Sequence, residues 1–270
     1  MVATPIGNLD DITLRALSAL RACDVILAED TRHTRALCAA HGIERPIERL
    51  DDHVVMERLD DLLARLLGGA VMALVSDAGT PLVSDPGAAL VRAALAAGVA
   101  VEALPGASAV LTALVVSGLG GGGFRFVGFI PREGPARRAA VAAIANDPLP
   151  TVLYESPERV VDTLADLSAA CGGAREASVS RELTKRYEET LRGPLDDLRA
   201  RITGPLRGEV ALVIAGRGED APAGVDDIDA ALDRALAAGM KPSEAAREVA
   251  KALGLKRADV YARALARTAR

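Results

Sequence analysis

Short β-rich runs alternate with helical patterns along the first 120 residues. The β-rich runs lie at residues 25–28, 71–76 and 99–104, and the helical patterns lie near residues 12–22, 54–67 and 86–97. This alternation predicts a parallel α/β sheet, because parallel strands are joined by crossover helices. Asp85 and Pro86 predict the start of the third helix, with Asp85 as its N-cap and Pro86 at the first helical position.

The alternation continues after the glycines at residues 120–123, which we interpret as a hinge or linker. Further β-rich runs lie at residues 124–130, 151–154, 177–183 and 209–215, with helical patterns near residues 135–146, 157–170 and 194–202. We therefore predict a second α/β domain and leave open whether its strands are mixed in direction.

The C-terminal segment follows a polar linker at residues 216–225 and differs from both domains. Pro242, Ser243 and Glu244 open a helical pattern that ends at Gly254, and residues 256–269 form a second, basic helical pattern. A short helix, a glycine turn and a basic amphipathic helix predict a helix-turn-helix-like module, with two packed surface helices as the alternative. The predicted organisation is thus a domain at 1–120, a domain at 121–218 and a helical module at 226–270.

The charge of the chain is unevenly distributed. The formal net charge is −5, but residues 241–270 hold eight basic and three acidic residues, a net +5, which leaves −10 for residues 1–240. A basic module on an acidic body predicts that any attraction to nucleic acid comes from the C-terminal segment. The candidate phosphate contacts are Lys251, Lys256, Arg257 and Arg263. The alternative is that this segment packs against the rest of the chain or joins two copies, its charges merely solvated.

Composition excludes several classes of protein. Half of the residues are hydrophobic and the mean hydropathy is +0.21, which excludes low-hydrophobicity disorder. The three cysteines show no CxxC spacing, so we expect no disulfide framework, no metal site and a cytoplasmic location. No signal-peptide pattern opens the sequence. Residues 103–124 carry no charge, but prolines and glycines interrupt them, so a buried strand end, turn and helix is favoured over a membrane span.

Four loops of small and turn-forming residues directly follow strand-like runs. They are residues 4–8, 76–81, 104–108 and 154–157. In open α/β sheets ligands bind beyond the carboxyl ends of the strands, so these loops predict one binding crevice, in which Asp77 would accept hydrogen bonds. No loop matches the GxGxxG or GxxxxGK[ST] phosphate motifs, so a simple NAD or ATP enzyme is not indicated.

Two polar clusters also lie at strand ends. One contains Asp30, Arg32 and His33, and the other contains Glu182 and Lys185. Taken singly, each pattern is typical of a solvated, salt-bridged strand end. Two such clusters in a chain with small-residue loops favour a reactive site instead.

The motifs that surround these loops resemble a known family. VATPIGNLDDITLRAL (2–17), AEDTRHT (28–34), LVSDAGTPLVSDPG (74–87), LPGASA (104–109), FVGFIPR (126–132), YESPERV (154–160), SRELTK (180–185) and RGEVALVI (207–214) are similar to the ribosomal RNA ribose methyltransferases of the tetrapyrrole methylase superfamily. The resemblance covers nearly the whole chain. It implies two α/β domains with S-adenosylmethionine (SAM) in the cleft between them, a homodimer, no membrane, and methylation of a cytidine ribose 2′-hydroxyl in the decoding region of 16S ribosomal RNA or the small subunit.

The resemblance also implies which residues bind the cofactor and act on the substrate. The implied SAM contacts are Thr4, Pro5, Asp77, Ala78, Gly79, Thr80, Pro105, Ser108, Ala109, Tyr154 and Glu155. For catalysis, Lys185 is the first candidate to stabilise the developing alkoxide, poised by Glu182, and Asp30, Arg32 and His33 remain candidates for the base or for an RNA clamp.

Two rival functions stay open from the residues. A methyltransferase acting on a tetrapyrrole precursor would use the cofactor loops but leaves the basic tail unexplained. A non-catalytic nucleic-acid-binding regulator would use the tail but leaves the crevice unexplained.

Overall fold

The computed structural model describes residues 1–218, 225–252 and 257–268. The chain divides into two units, the first formed by Met1–Ala145 and Leu149–Ala215 and the second by Asn146–Pro148 and Gly216–Arg270. The first unit contains two sheets, one within residues 1–120 and one within residues 121–218.

The first sheet confirms the predicted parallel arrangement. Its strands are β1 (Val25–Ala28), β2 (Ile47–Arg49) and β3 (Met72–Val75), in the order β2-β1-β3 with every pair parallel. All four residues of β1 are buried, as expected for a strand covered on both faces. The strand predicted at residues 99–104 is wrong. Only Leu104 of that segment forms a bridge, because its partner segment at residues 1–2 contributes a single bridging residue, Val2.

The helices of this part follow the predicted pattern, with one addition and one shifted start. They are α1 (Leu14–Ala22), α2 (Thr31–Ala40), α3 (Asp52–Leu67), α4 (Ala88–Ala96) and α5 (Ala109–Ser117). The sequence predicted neither α2 nor β2. The assignment of Asp85 as an N-cap is wrong, because α4 begins at Ala88 and its N-cap is Gly87, which has a φ of 109° and no side chain to cap the helix.

The second sheet is mixed. Its strands are β4 (Arg125–Phe129), β5 (Thr151–Glu155), β6 (Glu176–Arg181), β7 (Glu189–Pro194) and β8 (Val210–Ile214), in the order β4-β5-β8-β6-β7. Only β4 and β5 are parallel, and the other neighbours are antiparallel. The sequence did not predict β7. The helices of this part are α6 (Gly134–Asn146), α7 (Val160–Cys171) and α8 (Leu195–Arg201).

The second unit is a three-helix module, where the sequence predicted two helices. It consists of α9 (Val225–Ala237), α10 (Pro242–Ala252) and α11 (Arg257–Thr268). Leu232 of α9 is fully buried among Val249 of α10 and Val260 of α11, so α9 completes a core that the other two helices alone would leave open. The predicted helix end at Gly254 and the candidate contact Lys256 lie outside the described residues. Among the helices that the structure describes, none combines the length and the hydropathy needed to cross a membrane.

Candidate functional site

A cavity of about 370 Å³ opens within the first unit, beside the carboxyl ends of β3 and β5. Its volume lies in the range of ligand sites in proteins, roughly 300–1,000 Å³. It is lined by residues 78–80, 83–85, 108–109, 154–157 and 208–211, together with Ile6, Phe129 and Leu183. Each of the four loops predicted from the sequence therefore contributes at least one residue to the wall of one cavity, as predicted.

Seven of the eleven predicted cofactor contacts lie in the cavity wall, and four do not. Those in the wall are Ala78, Gly79, Thr80, Ser108, Ala109, Tyr154 and Glu155. Thr4, Pro5, Asp77 and Pro105 are not among the residues that line the cavity. The wall is therefore built largely from segments that the sequence identified, although not every predicted residue of those segments lines the cavity.

Thr4 supports the wall from behind. Its backbone N–H donates to the Gly79 carbonyl at 2.9 Å, and the Gly79 N–H donates back to the Thr4 carbonyl at 3.0 Å. Its hydroxyl donates to the Ser76 carbonyl at 3.1 Å. These three bonds hold the loop that follows β3 against residue 4.

Gly79 is the residue of this loop at which only glycine fits. Its φ is +81°, and an added Cβ would lie 3.2 Å from Ile6 Cγ2 and 3.5 Å from the Ala107 carbonyl oxygen. L-residues rarely adopt this backbone conformation, and the absence of a Cβ lets the chain approach Ile6 closely. The next residue, Thr80, donates its hydroxyl to the same Ala107 carbonyl at 3.2 Å and so ties the second loop to the third.

The N-terminus of α5 faces the cavity through small residues. Ser108 is the N-cap, and its Oγ accepts from the Leu111 N–H at 3.5 Å. Ser108 and Ala109 both line the cavity. Helix N-termini carry backbone N–H groups without intrahelical partners and favour anions, so this end of α5 is suited to a carboxylate.

Glu155 is buried and fully engaged with the protein. Its Oε1 accepts from the Ser156 N–H at 2.8 Å, its Oε2 accepts from the Thr163 hydroxyl at 2.6 Å, and Arg159 lies 3.3 Å from Oε2. Thr163 in turn accepts from Arg137, which pairs with Asp166 at 2.7 Å. Glu155 is thus a buried anchor of the β5 side of the cavity.

Tyr154 belongs to an aromatic cluster at the cavity. Its ring centroid lies 5.0 Å from that of Phe126 and 5.6 Å from that of Phe129. Burial, with Asp85 and Glu209 nearby, raises the pKa of Tyr154 to about 12, so its hydroxyl keeps its proton. Phe129 is 59% exposed and also lines the cavity.

Lys185 is held between two carboxylates. Its Nζ donates to Glu182 Oε1 at 2.8 Å and to Glu209 Oε2 at 2.9 Å. Burial by itself would lower the pKa of Lys185, but the two carboxylates outweigh it and raise the pKa above its usual value. The hydrogen bond from Lys185 lowers the pKa of Glu182. Lys185 is therefore a cation at neutral pH. Neither Lys185 nor Glu182 is among the residues that line the cavity, but Lys185 is bonded to Glu209, which does line it.

Gly208 fixes the position of this cluster. Its φ is +84°, and an added Cβ would clash with the Glu182 carboxylate. Glycine therefore meets both the backbone conformation and the close approach of the Glu182 carboxylate.

The other predicted polar cluster, Asp30, Arg32 and His33, gathers around Asp77 and not in the cavity wall. Asp77 Oδ1 accepts from the Asp30 N–H at 2.9 Å, and His33 Nδ1 lies 3.7 Å from Asp77 Oδ2. Asp30 is the N-cap of α2, and its side chain is hydrogen-bonded to Arg32, which holds the pKa of Asp30 far below its usual range. The carboxylates of this cluster therefore serve mainly to fix the end of β1 and the start of α2.

Sequence reasoning missed Asp85, Glu209 and Phe129, all of which line the cavity. Asp85 was assigned to a helix cap, whereas Glu209 and Phe129 lie within RGEVALVI and FVGFIPR and were not singled out there. The signal was thus present in the motifs, but nothing in the spacing indicated which side chains reach the cavity. Among the described residues there is no cluster of three or more potential metal ligands.

The chain belongs to the tetrapyrrole methylase family. The model of the tetrapyrrole (corrin/porphyrin) methylases matches residues 1–199, and that of the RsmI C-terminal HTH domain matches residues 222–268. The second match confirms the predicted helix-turn-helix-like module.

Full-length relatives carry one particular name. The chain is 42% identical to the ribosomal RNA small subunit methyltransferase I of Xylella fastidiosa, over 97% of this chain and 96% of the relative. It is 43% identical to the protein of the same name from Mycobacterium tuberculosis (strain CDC 1551 / Oshkosh), over 93% of this chain and 88% of the relative. These similarities confirm the resemblance seen in the motifs and extend it across the chain.

Solved structures share the fold. The methyltransferase CobJ has a TM-score of 0.60 at 20% identity, covering 80% of this chain and 92% of CobJ. The uroporphyrin-III C-methyl transferase of Thermus thermophilus, complexed with S-adenyl homocysteine, has a TM-score of 0.54 at 22% identity, covering 79% of this chain and 95% of the enzyme. The predicted tetrapyrrole methylase architecture is confirmed.

Proposed function

We propose that the chain is an enzyme that transfers a methyl group from SAM to the ribose 2′-hydroxyl of a cytidine in 16S ribosomal RNA, as free RNA or within the small subunit. The observation that carries the proposal is a cavity walled by the motif loops, in a chain similar along its length to ribosomal RNA small subunit methyltransferase I. The S-adenyl homocysteine complex of a protein with this fold supports a SAM-type ligand.

The wall residues fit SAM. Ile6, Leu183 and Ala211 offer apolar surface for the adenine, and Gly79 keeps the backbone close to the cavity. The N-terminus of α5 suits the carboxylate of the methionine moiety. When bound, SAM supplies an electrophilic methyl group on a sulfonium.

The chain itself must align the acceptor oxygen and manage its proton, because methyl transfer is an in-line displacement on a weakly acidic hydroxyl. Lys185 is a fixed cation beside the wall and is our candidate to stabilise negative charge that develops on the ribose oxygen. Its two carboxylate partners keep the ammonium in one place. No metal ion is needed for this chemistry.

Phe129 is our candidate to stack on a base near the reacting ribose. Sequence-specific recognition of RNA relies on splayed bases that stack on aromatic side chains, and an exposed ring at the cavity provides such a surface. Although the chain has only three Phe and three Tyr, Phe126, Phe129 and Tyr154 lie close together, and Phe129 and Tyr154 line this cavity. We therefore expect stacking between RNA bases and aromatic side chains at this one place on the chain.

The second unit is our candidate for phosphate contacts. Among its described residues, some cations form ion pairs and others do not. Lys251 and Arg257 are exposed. Arg263 and Arg267 instead pair with Asp229 and Asp233 of α9, at 3.3 Å for Arg263 and Asp229 and 2.6 Å for Arg267 and Asp233. The predicted role of Arg263 in RNA binding remains a proposal. Its ion pair with Asp229 favours an additional structural role, in which Arg263 joins α11 to α9.

Transfer of tritiated methyl groups tests the proposal. Small subunits from a strain that lacks this gene are incubated with the purified protein and labelled SAM, and uroporphyrinogen III replaces the subunits in a parallel reaction. We expect label in 16S RNA, retained in an alkali-stable dinucleotide because a 2′-O-methyl group blocks cleavage of the adjacent phosphodiester bond.

Three other results would each argue against the proposal. Label in the tetrapyrrole would support the corrin or porphyrin alternative. RNA binding without SAM binding by calorimetry would support the non-catalytic regulator. Alkali-labile label in RNA would place the methyl group on a base.

The homodimer and the cytoplasmic location remain part of the proposal. The motif resemblance supports the first, and a ribosomal RNA substrate supports the second. Sedimentation equilibrium of the purified chain tests the dimer: a single species with the mass of one chain would contradict it.

A further inference from the structure

We propose that the Asp85 carboxylate is the general base that removes the proton from the attacking ribose hydroxyl. This inference rests on the proposed function, because it assigns one step of that reaction to a side chain in the cavity wall. Asp85 was not among the candidate bases that the sequence indicated.

The geometry singles out Asp85. It lines the cavity, as do its neighbours Val83 and Ser84. Within the described part of the chain, no side chain or N–H group hydrogen-bonds to the Asp85 carboxylate and no cation lies within ion-pair distance of it. A carboxylate at a cavity with no protein partner has its lone pairs available to a ligand.

The backbone around Asp85 is built to hold it there. Leu82 and Ser84 have φ values of 70° and 74°, which non-glycine residues seldom adopt, and Gly87 follows with a φ of 109°. These turns delay the start of α4 to Ala88 and release Asp85 from the capping position. Uncommon backbone conformations cluster at functional sites, where they place a side chain that regular structure would direct elsewhere.

The surroundings tune Asp85 for proton transfer near neutral pH. Burial is the main cause that raises its pKa to about 6, and the charges of Glu29, beyond β1, and Asp77, beyond β3, add to the effect. Tyr154 of β5 faces it as a neutral phenol, with Glu209 at the start of β8 nearby. A base whose pKa lies close to the working pH is both deprotonated and basic enough to accept a proton.

The other carboxylates of the site are less suitable. Both oxygens of Glu155 are hydrogen-bonded, Glu182 and Glu209 share Lys185, and the bond with Arg32 makes Asp30 a very weak base. Lys185 is protonated and cannot accept a proton.

The step balances with groups already in the proposal. The ribose 2′-oxygen forms a bond to the methyl carbon, and the carbon–sulfur bond breaks with its electron pair left on sulfur. The hydroxyl proton passes to an Asp85 carboxylate oxygen and is later released to solvent.

The test compares the wild-type protein with Asp85→Asn, which keeps the shape and removes the basicity, and with Glu133→Gln, which removes an exposed charge elsewhere. We expect Asp85→Asn to lower the single-turnover rate at saturating SAM and subunits about 100-fold or more, with SAM affinity by calorimetry within about twofold of wild type. Glu133→Gln should match the wild type. In the wild type, kcat/KM for SAM should decrease as the pH is lowered through about 6. Asp85→Asn should not show this decrease at acid pH, the acid limb of the profile.

A second readout does not need turnover. In the free protein labelled with ¹³C at aspartate carboxyl carbons, the resonance missing from Asp85→Asn should titrate near pH 6. Glu29→Gln should move that midpoint, and the acid limb of the rate profile, to lower pH, because it removes one of the charges that raise the pKa.

The outcomes separate this inference from the proposed function. A wild-type protein that methylates nothing contradicts the proposed function. A wild-type protein that methylates 16S RNA, together with an Asp85→Asn variant of equal rate and pH profile, overturns the inference alone. If Asp85→Asn binds SAM weakly but has a normal rate at saturating SAM, Asp85 is a SAM ligand, and this result would also overturn the inference.

Discussion

Glu155 and Asp85 both belong to the wall of the cavity, but the two regions that carry them surround their carboxylates in opposite ways. Glu155, on the β5 side, has both oxygens bonded to Ser156 and Thr163 and an arginine 3.3 Å away. Asp85, on the loop that follows β3, is partly buried near other negative charges, which raises its pKa to about 6. A bonded carboxylate holds the wall together, whereas an unbonded one costs stability and remains free to exchange a proton. The same substitution, carboxylate to amide, should therefore have opposite effects at the two positions.

The largest effect is expected at the bonded position. Glu155→Gln removes the ion pair with Arg159 and one acceptor oxygen, so we expect the free energy of unfolding to fall by about 3 kcal/mol. Urea unfolding at pH 7.5 measures this. Thr163→Val, which removes only the hydroxyl between Glu155 and Arg137, should cost less. If Glu155→Gln is as stable as the wild type, the bonded carboxylate does not stabilise the wall, and the contrast with Asp85 is contradicted.

Lys185 extends the comparison to a paired cation. Lys185→Ala leaves Glu182 and Glu209 without their shared partner, and we expect the single-turnover rate to fall roughly 100-fold while SAM affinity stays near the wild-type value. Lys185→Arg keeps the charge and should recover part of the rate. A near-normal rate for Lys185→Ala at saturating RNA would reassign Lys185 to holding the wall.

At Asp85 the same type of substitution should instead increase the free energy of unfolding, by an amount that depends on pH. The pKa of Asp85 is raised to about 6 in the folded protein, so the folded state binds its proton more tightly than the unfolded state does. This contribution favours folding at low pH and is lost as the pH rises through about 6. Asp85→Asn should therefore raise the free energy of unfolding by about 1–2 kcal/mol at pH 8, allowing for partial exposure, and by little at pH 3.5.

Urea titrations at the two pH values check this, with Glu133→Gln as the variant that removes a surface charge. A stabilisation of the same size at both pH values would mean that the effect does not come from the charge of Asp85.

The smallest effect is expected in the three-helix module, where the same distinction between paired and unpaired charges applies. Arg257→Gln should reduce the salt dependence of RNA binding by about 0.7 in the slope of log K against log salt, the amount for one phosphate contact on a single strand. Arg267→Gln removes a cation that is paired with Asp233 and should leave the slope unchanged. Filter binding of one RNA at several salt concentrations compares them. Equal slopes for Arg257→Gln and the wild type would remove Arg257 from the RNA contacts.

The charges of the C-terminal segment could be predicted from the sequence only in part. The basic segment at residues 241–270 is evident from the sequence, but the charges were counted only over the two predicted helices. The structure adds α9, whose Asp229 and Asp233 pair with arginines of α11. The sequence placed residues 226–240 in the helical module but predicted no helix there, because the apolar residues of α9 acquire a partner only when α10 and α11 pack against it.

The sequence by itself determined the parallel first sheet, most helices, the loops that wall the cavity and the family. These follow from local patterns: periodicity sets the elements, glycines such as Gly79 set the turns, and strand topology brings the loops to one edge. Only the tertiary structure decided which charged groups are paired. Pairing depends on atoms far apart in the chain, such as Lys185 with Glu209. The pKa of Asp85 likewise depends on burial and on the repulsion from Glu29, which is distant in the sequence. Asp85 carried the signal of a helix cap and became a cavity carboxylate, because the turns at residues 82–87 moved the helix start beyond it.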